Sequence, residues 1–134
     1  MLDLLLLRAW HIKKQIRKLK RDLPEHPQFL DAGSGFGQYS YFLARKFPGA
    51  KLIGIDVKEE QIEDCNQFFE KKSMDDRVHF EVGDLTRYEY PERFNLILSV
   101  DVMEHIEEDV KVFENFHNSL ADKGFLLIST PSDQ

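Results

Sequence analysis

Five short apolar runs set the limits on how this chain can fold, because stretches at helical spacing separate most of them. Phe29 to Ala32, Lys51 to Val57, Arg77 to Val82, Phe94 to Val100 and Gly124 to Ser129 have the length and composition of buried strands. Between the first two, Gln38 to Phe47 carries Tyr39, Phe42, Leu43 and Phe47 at helical spacing and is closed by Pro48-Gly49. Glu59 to Lys72 puts Ile62, Cys65 and Phe69 on one face, with glutamates early, where the helix dipole favours them. Another helix is expected over about Glu107 to Leu120, with Val110, Phe113, Phe116 and Leu120 inward. Strands alternating with helices build βαβ units, so the chain reads as α/β with a parallel sheet covered on both faces.

One interval breaks the rhythm. Only Leu85 to Arg93 separates the third strand from the fourth, too few residues for a crossover helix. Extended, that stretch reaches about 30 Å, enough to return along the sheet and pass to the far side of the first strand. A doubly wound sheet of order 3-2-1-4-5 follows, with its switch point between strands one and four. Ligands of open α/β sheets bind there, outside the carboxyl ends of the strands.

The chain of 134 residues fits one such domain. A lone cysteine, Cys65, excludes a disulfide framework, and its place on an apolar stripe marks it as buried and inert. No apolar run approaches the roughly 20 residues of a membrane span. Leu4 to Leu7 is too short for a signal peptide and its positive charges follow it, so the cytoplasm is the expected compartment.

Net charge is -6 but unevenly spread: residues 1–21 hold seven Lys/Arg and one acid (+6), leaving -12 for the rest. An acidic body offers no cations for nucleic-acid phosphates, so no nucleic-acid partner is expected. Residues 1–26 form a basic amphipathic helix and a Pro-containing linker, and residues 27–134 form the core. Leu5, Ala9, Ile12, Ile16 and Leu19 line one stripe of that helix, with Trp10 as a candidate interfacial anchor. It either lies peripherally on an anionic membrane through residues 1–21 or docks on its own acidic domain.

Residues with chemistry gather at the strands' carboxyl ends. Asp31-Ala32-Gly33-Ser34-Gly35-Phe36-Gly37 joins the first strand to the first crossover helix, and its glycines admit positive φ and close backbone approach. An acid stands at each of three successive strand ends: Asp31, Asp56 and Asp84. Asp56 has the place from which a carboxylate accepts both hydroxyls of a ribose. A nicotinamide dinucleotide domain would want Gly-x-Gly-x-x-Gly, but Gly37 comes one residue early, and Asp31 would repel a pyrophosphate. A cationic ligand suits that carboxylate better. S-adenosylmethionine, with a sulfonium, an ammonium and a ribose, is one.

The segment DAGSGFGQYS resembles motif I of the class I S-adenosylmethionine-dependent methyltransferases. GIDVK resembles their post-I strand end and VGDLT their motif II; FNLILSVDVMEHI and LADKGFLLISTP resemble the motifs of strands four and five. The resemblance covers roughly residues 27–131 and implies a Rossmann-like fold. It also implies roles: Asp31, Gly33, Gly35 and Gly37 around the methionine moiety, Asp56 on the ribose, Val57 on the adenine, Asp84 and Leu85 at its amino group, and Ser99 bordering the methionine part through its backbone. The implied reaction is methyl transfer to a small-molecule acceptor, and a non-catalytic cofactor-binding module is the alternative. Relative to the family pattern, the final strands are missing from this chain, and the bare edge of strand five invites self-association.

One further cluster, Asp101-Val102-Met103-Glu104-His105, follows strand four. It resembles the acid-x-x-Glu-His set of metal-dependent O-methyltransferases, making Asp101, Glu104 and His105 candidate ligands of a divalent metal and His105 a candidate general base. At helical spacing all three could converge. The competing reading has Asp101 capping the helix that follows. His11, His26, His79 and His117 have no polar constellation around them, and Phe68-Phe69 reads as packing.

Overall fold

A computed structural model describes residues 2–130, with side chains from Leu6 onward. Its elements run α1 (Leu2–Leu19), β1 (Gln28–Ala32), α2 (Gln38–Lys46), β2 (Lys51–Asp56), α3 (Glu59–Lys71), β3 (Val78–Val82), β4 (Phe94–Val100), α4 (Asp109–Ser119) and β5 (Leu120–Ser129). The five strands form one sheet of order β3-β2-β1-β4-β5, as the short third interval requires. Every pairing is parallel, with Asp31 opposite Gly54 of β2 and Leu98 of β4. β1 is thus the central strand, and its carboxyl end lies between two neighbours.

Alternation along the strands splits the core into two layers. Phe29, Leu52, Val78, Phe80 and Leu98 face α2 and α3, meeting Leu43, Ile62 and Phe69. Leu30, Ile53, Ile55 and Ile97 face the other way, onto Val112 and Phe116 of α4. Cys65 is buried in the first layer, where burial raises its thiol to about 11. Phe69 is buried while Phe68 is exposed. His11, His26, His79 and His117 are all exposed.

The segment from Leu85 to Arg93 crosses without helix or strand, so its backbone groups need other partners. The end of α4 supplies them. Asn115 Nδ2 donates to the Leu85 carbonyl at 2.9 Å, the Tyr90 amide donates to Ser119 Oγ at 3.0 Å, and the Arg93 amide donates to the Ser119 carbonyl at 3.0 Å. Asn115 and Ser119 are therefore buried despite being polar.

That requirement turns α4 away from its expected orientation. Val110 and Phe113, expected inward, are exposed at 68% and 42%, while Val112 is fully buried beside Phe116. β5 also begins earlier than expected, at Leu120 instead of Gly124, because the chain leaves α4 directly into the sheet. It is an edge strand of the sheet, as β3 is at the other side, and Leu126 on it is exposed.

α1 packs its stripe on the domain. Ile12 and Ile16 are buried in the first layer and Ala9 and Leu19 are part-buried; the side chain of Leu5 lies outside the described residues. Among the described residues no helix is long and apolar enough to cross a membrane. The two orientations of α4 are separated by substitution. Val112→Ala should lower stability by about 2 kcal/mol through lost burial and a residual cavity, whereas Val110→Ala should stay within about 0.5 kcal/mol. Denaturant titration checks both, and the reverse ranking would restore the orientation expected from periodicity.

Candidate functional site

The glycine-rich turn leaves β1 at the sheet's centre and must double back into α2 without covering the strand ends. Gly33, Gly35 and Gly37 all take positive φ, at 82°, 54° and 81°. At Gly33 the demand is steric as well, since a Cβ there would lie 2.2 Å from Val102 Cγ2. The turn is fastened to β2 by the Gly33 and Ser34 amides, which both donate to the Ile55 carbonyl at 2.7 and 2.8 Å.

Asp56, at the end of β2, fastens it a second time. Its Oδ2 accepts from the Gly35 amide at 2.9 Å and its Oδ1 from the Lys58 amide at 3.0 Å. One carboxylate thus sets both the turn after β1 and the entry to α3. Each oxygen keeps a further lone pair for another donor.

Above these turns lies a cavity of about 1270 Å³. Asp31, Gly33, Gly35 and Asp56 line it from two strand ends; Val57, Asp84 and Leu85 line it further along. Val57 is exposed at its rim and Leu85 is buried in its wall. Asp84 stands in solvent, held below the ordinary carboxylate range first by the Thr86 backbone amide at 2.9 Å and then by the Thr86 hydroxyl at 2.8 Å. Seven of the nine residues expected at the site line the cavity, and Gly37 lies one turn back, against Cys65 Sγ. Ser99 departs from expectation. It is fully buried, its hydroxyl has no partner, and it does not line the cavity; Val100, the next residue of β4, does.

Asp31 is the unusual group. It is 2% exposed, and burial raises its carboxyl to about 6, only partly offset by Ser40, whose hydroxyl donates to Oδ2 at 2.6 Å; the nearby Asp56 carboxylate adds to the rise. A carboxylate in that position carries a standing electrostatic cost that a bound cation would relieve.

The cluster after β4 does not assemble as a ligand set. Helical convergence fails because only Met103–His105 forms a short 3-10 turn, and Asp101 precedes it in the left-handed region at φ 59°. The Asp101 carboxylate is paired instead with the Arg8 guanidinium of α1. Glu104 lies 3.7 Å from His105 Nε2, and the His105 side chain is 76% exposed. Among the described residues no group of three His, Cys, Asp or Glu side chains is arranged to hold a metal. The capping alternative fails too, since Val102 occupies the cap and no side chain bonds there. His105 does line the cavity, with Val102 and Ile106 beside it.

Several lining residues escaped sequence reading. Arg8, Ala9 and Lys13 bring α1 into the cavity wall, and Tyr39 contributes from α2. Ser40 was legible in principle, because the first turn of α2 must pass over the end of β1. Arg8 carries no such signal, being 93 positions from its partner Asp101.

Three comparisons with known proteins bear on the site. The methyltransferase-domain family matches residues 24–134. Phosphoethanolamine N-methyltransferase 1 of Zea mays is 33% identical over 113 residues, covering 82% of this chain and 22% of that protein. The solved structure of Haemonchus contortus phosphoethanolamine N-methyltransferase 2 in complex with S-adenosyl-L-methionine is 28% identical with a TM-score of 0.74, over 87% of this chain and 27% of that one. The O-methyltransferase of a Brevibacillus brevis polyketide synthase, in complex with S-adenosyl-L-homocysteine, is 26% identical with a TM-score of 0.72, over 76% of this chain and 34% of that one. This chain spans about a quarter of the length of the curated relatives it matches.

The ionisation of Asp31 makes a test of its environment. Its folded value of about 6 lies above the ordinary 3.8, so its favourable contribution is complete below pH 3.8 and is lost as pH rises through 6. That loss is on the order of 3 kcal/mol. Asp31→Asn, which keeps an acceptor for Ser40, should therefore melt above the parent at pH 8, with the gap closing near pH 4 (calorimetric scans at both). A variant less stable than the parent at pH 8 would mean the carboxylate is not held at a cost.

Proposed function

This chain belongs to the class I S-adenosylmethionine-dependent methyltransferases, and from that membership we propose that its cavity binds S-adenosylmethionine and directs methyl transfer to a small-molecule acceptor. The observation that carries the proposal is the placement of Asp31, Asp56 and Asp84 at three adjacent strand ends around one cavity. Each meets a different part of such a ligand. Asp31, buried and costly to ionise alone, faces the cationic amino-acid end. Asp56 offers its remaining lone pairs to the ribose hydroxyls. Val57 and Leu85 flank the adenine, with Asp84 toward its amino group.

The residues fit the group chemically. Exposed backbone at the glycine turn admits a ligand closely, and the cavity exceeds the roughly 300–1,000 Å³ usual for one small molecule, leaving space for an acceptor. Bound there, S-adenosylmethionine would supply an electrophilic methyl group on a sulfonium that leaves as a neutral thioether. What the chain contributes is position and exclusion of water. Asp31 and Asp56 orient the two ends of the cofactor, and the wall from α1, with Val100 and Val102, confines the reacting region. Holding two reactants in line can supply much of the rate without a dedicated proton carrier. His105, exposed at the rim, is one side chain there able to take a proton from an acceptor.

Titration calorimetry tests the proposal. Charge-assisted hydrogen bonds are worth about 1.5–3 kcal/mol, so Asp56→Ala should weaken S-adenosylmethionine and S-adenosylhomocysteine by roughly ten- to a hundredfold. Unchanged affinity in the variant, or a parent chain that binds NAD in preference, would overturn the assignment.

A further inference from the structure

The outward face of α1 is unused by the core and by the cavity. Ile12 and Ile16 enter the core, and Arg8, Ala9 and Lys13 border the cavity. On the opposite side, helical spacing brings together Leu6, Leu7, Trp10, Lys14, Arg17 and Lys18, continued by Arg21. Leu6 is 61% exposed and Leu7 and Trp10 are each 50% exposed, an unusual density of large apolar side chains in water. The four cations beyond them are all exposed, and among the described residues none is in an ion pair. No acid occurs between Leu6 and Arg21.

We propose that this face docks on an anionic phospholipid bilayer, with Leu6, Leu7 and Trp10 entering the headgroup–acyl boundary and Lys14, Arg17, Lys18 and Arg21 meeting lipid phosphates. The inference stands independently of the cofactor reading. Two observations favour lipid over an acidic protein. The apolar side chains protrude from a convex helix at one end of the cationic row, the arrangement of an interfacial helix. Trp10 carries its own cation, Lys14 Nζ lying 4.9 Å from the ring centroid, which suits a ring placed at the level of headgroups. The second is charge polarity. Residues 1–21 carry +6 and the remainder -12, so an anionic surface attracts α1 and turns the acidic body outward. α1 then has one side on the bilayer and the other in the cavity wall, separated by about one helix diameter of 10 Å.

Trp10 is the only tryptophan, so its emission reports on this face directly. The full chain is titrated with vesicles of about three parts phosphatidylcholine to one part phosphatidylserine, at about 0.05 M salt where screening is weak. Emission should shift to the blue as the chain co-sediments, and pure phosphatidylcholine should give neither change. Each reversed cation should weaken partitioning by about fivefold or more, so Lys14→Glu with Lys18→Glu and Arg21→Glu should abolish both signals while leaving circular dichroism and melting unchanged. No shift with the anionic vesicles, equal binding to phosphatidylcholine, or full binding by the triple variant overturns the proposal. So does co-sedimentation without a blue shift, which leaves Trp10 in water. A shift produced equally by polyglutamate transfers the surface to an acidic polypeptide.

Discussion

A carboxylate sits where a parallel sheet can least tolerate one, at the buried end of the central strand. Asp31 is flanked by β2 and β4 and covered by α2, and only Ser40 gives it a hydrogen bond at 2.6 Å. The neighbouring architecture leaves a cavity above that end. Three positive-φ glycines carry the chain off β1 without covering it, Ile55 and Asp56 anchor the turn through amides, and the chain after β4 leaves through a left-handed Asp101 instead of a helix. Ser40 offsets only part of the cost of burying that carboxylate, and a cationic ligand bound above it would remove more.

Much of the fold was legible because strand length and strand spacing leave few topologies. The interval from Leu85 to Arg93 is too short for a helix, and that fact alone moves β4 to the far side of β1. α4 was legible as a helix but not in orientation. Its sequence contains two overlapping apolar rows, the expected one through Val110, Phe113, Phe116 and Leu120 and a shorter one through Val112 and Phe116, and periodicity favours the longer. The shorter row wins because Asn115 and Ser119 must face inward to satisfy the crossing segment's backbone. Tertiary hydrogen bonding decides there, and no local pattern announces it.

The site divides in the same way. Acids and glycines at strand ends could be read because topology brings all strand ends to one edge. Ser99 does not line the cavity and Val100 does, since inward and outward positions alternate along β4. Asp101, Glu104 and His105 do not converge for a conformational reason: the chain is not yet helical at Asp101, where helical spacing would need it to be. The Arg8 contact to Asp101 was invisible because it joins the first helix to the end of the fourth strand. That contact makes α1 part of the cavity wall instead of an appendage.

A ligand bearing cationic and ribose groups is proposed to seat at the carboxyl ends of β1, β2 and β3. Amide chemical shifts in a nitrogen-15-labelled chain, followed while S-adenosylhomocysteine is added, read that seating residue by residue. The Gly33, Gly35, Val57 and Leu85 amides should move together and saturably, while those of Lys51 and Val78 at the opposite ends of the strands stay in place. Shifts confined to other parts of the sheet, or none at saturating ligand, would contradict it.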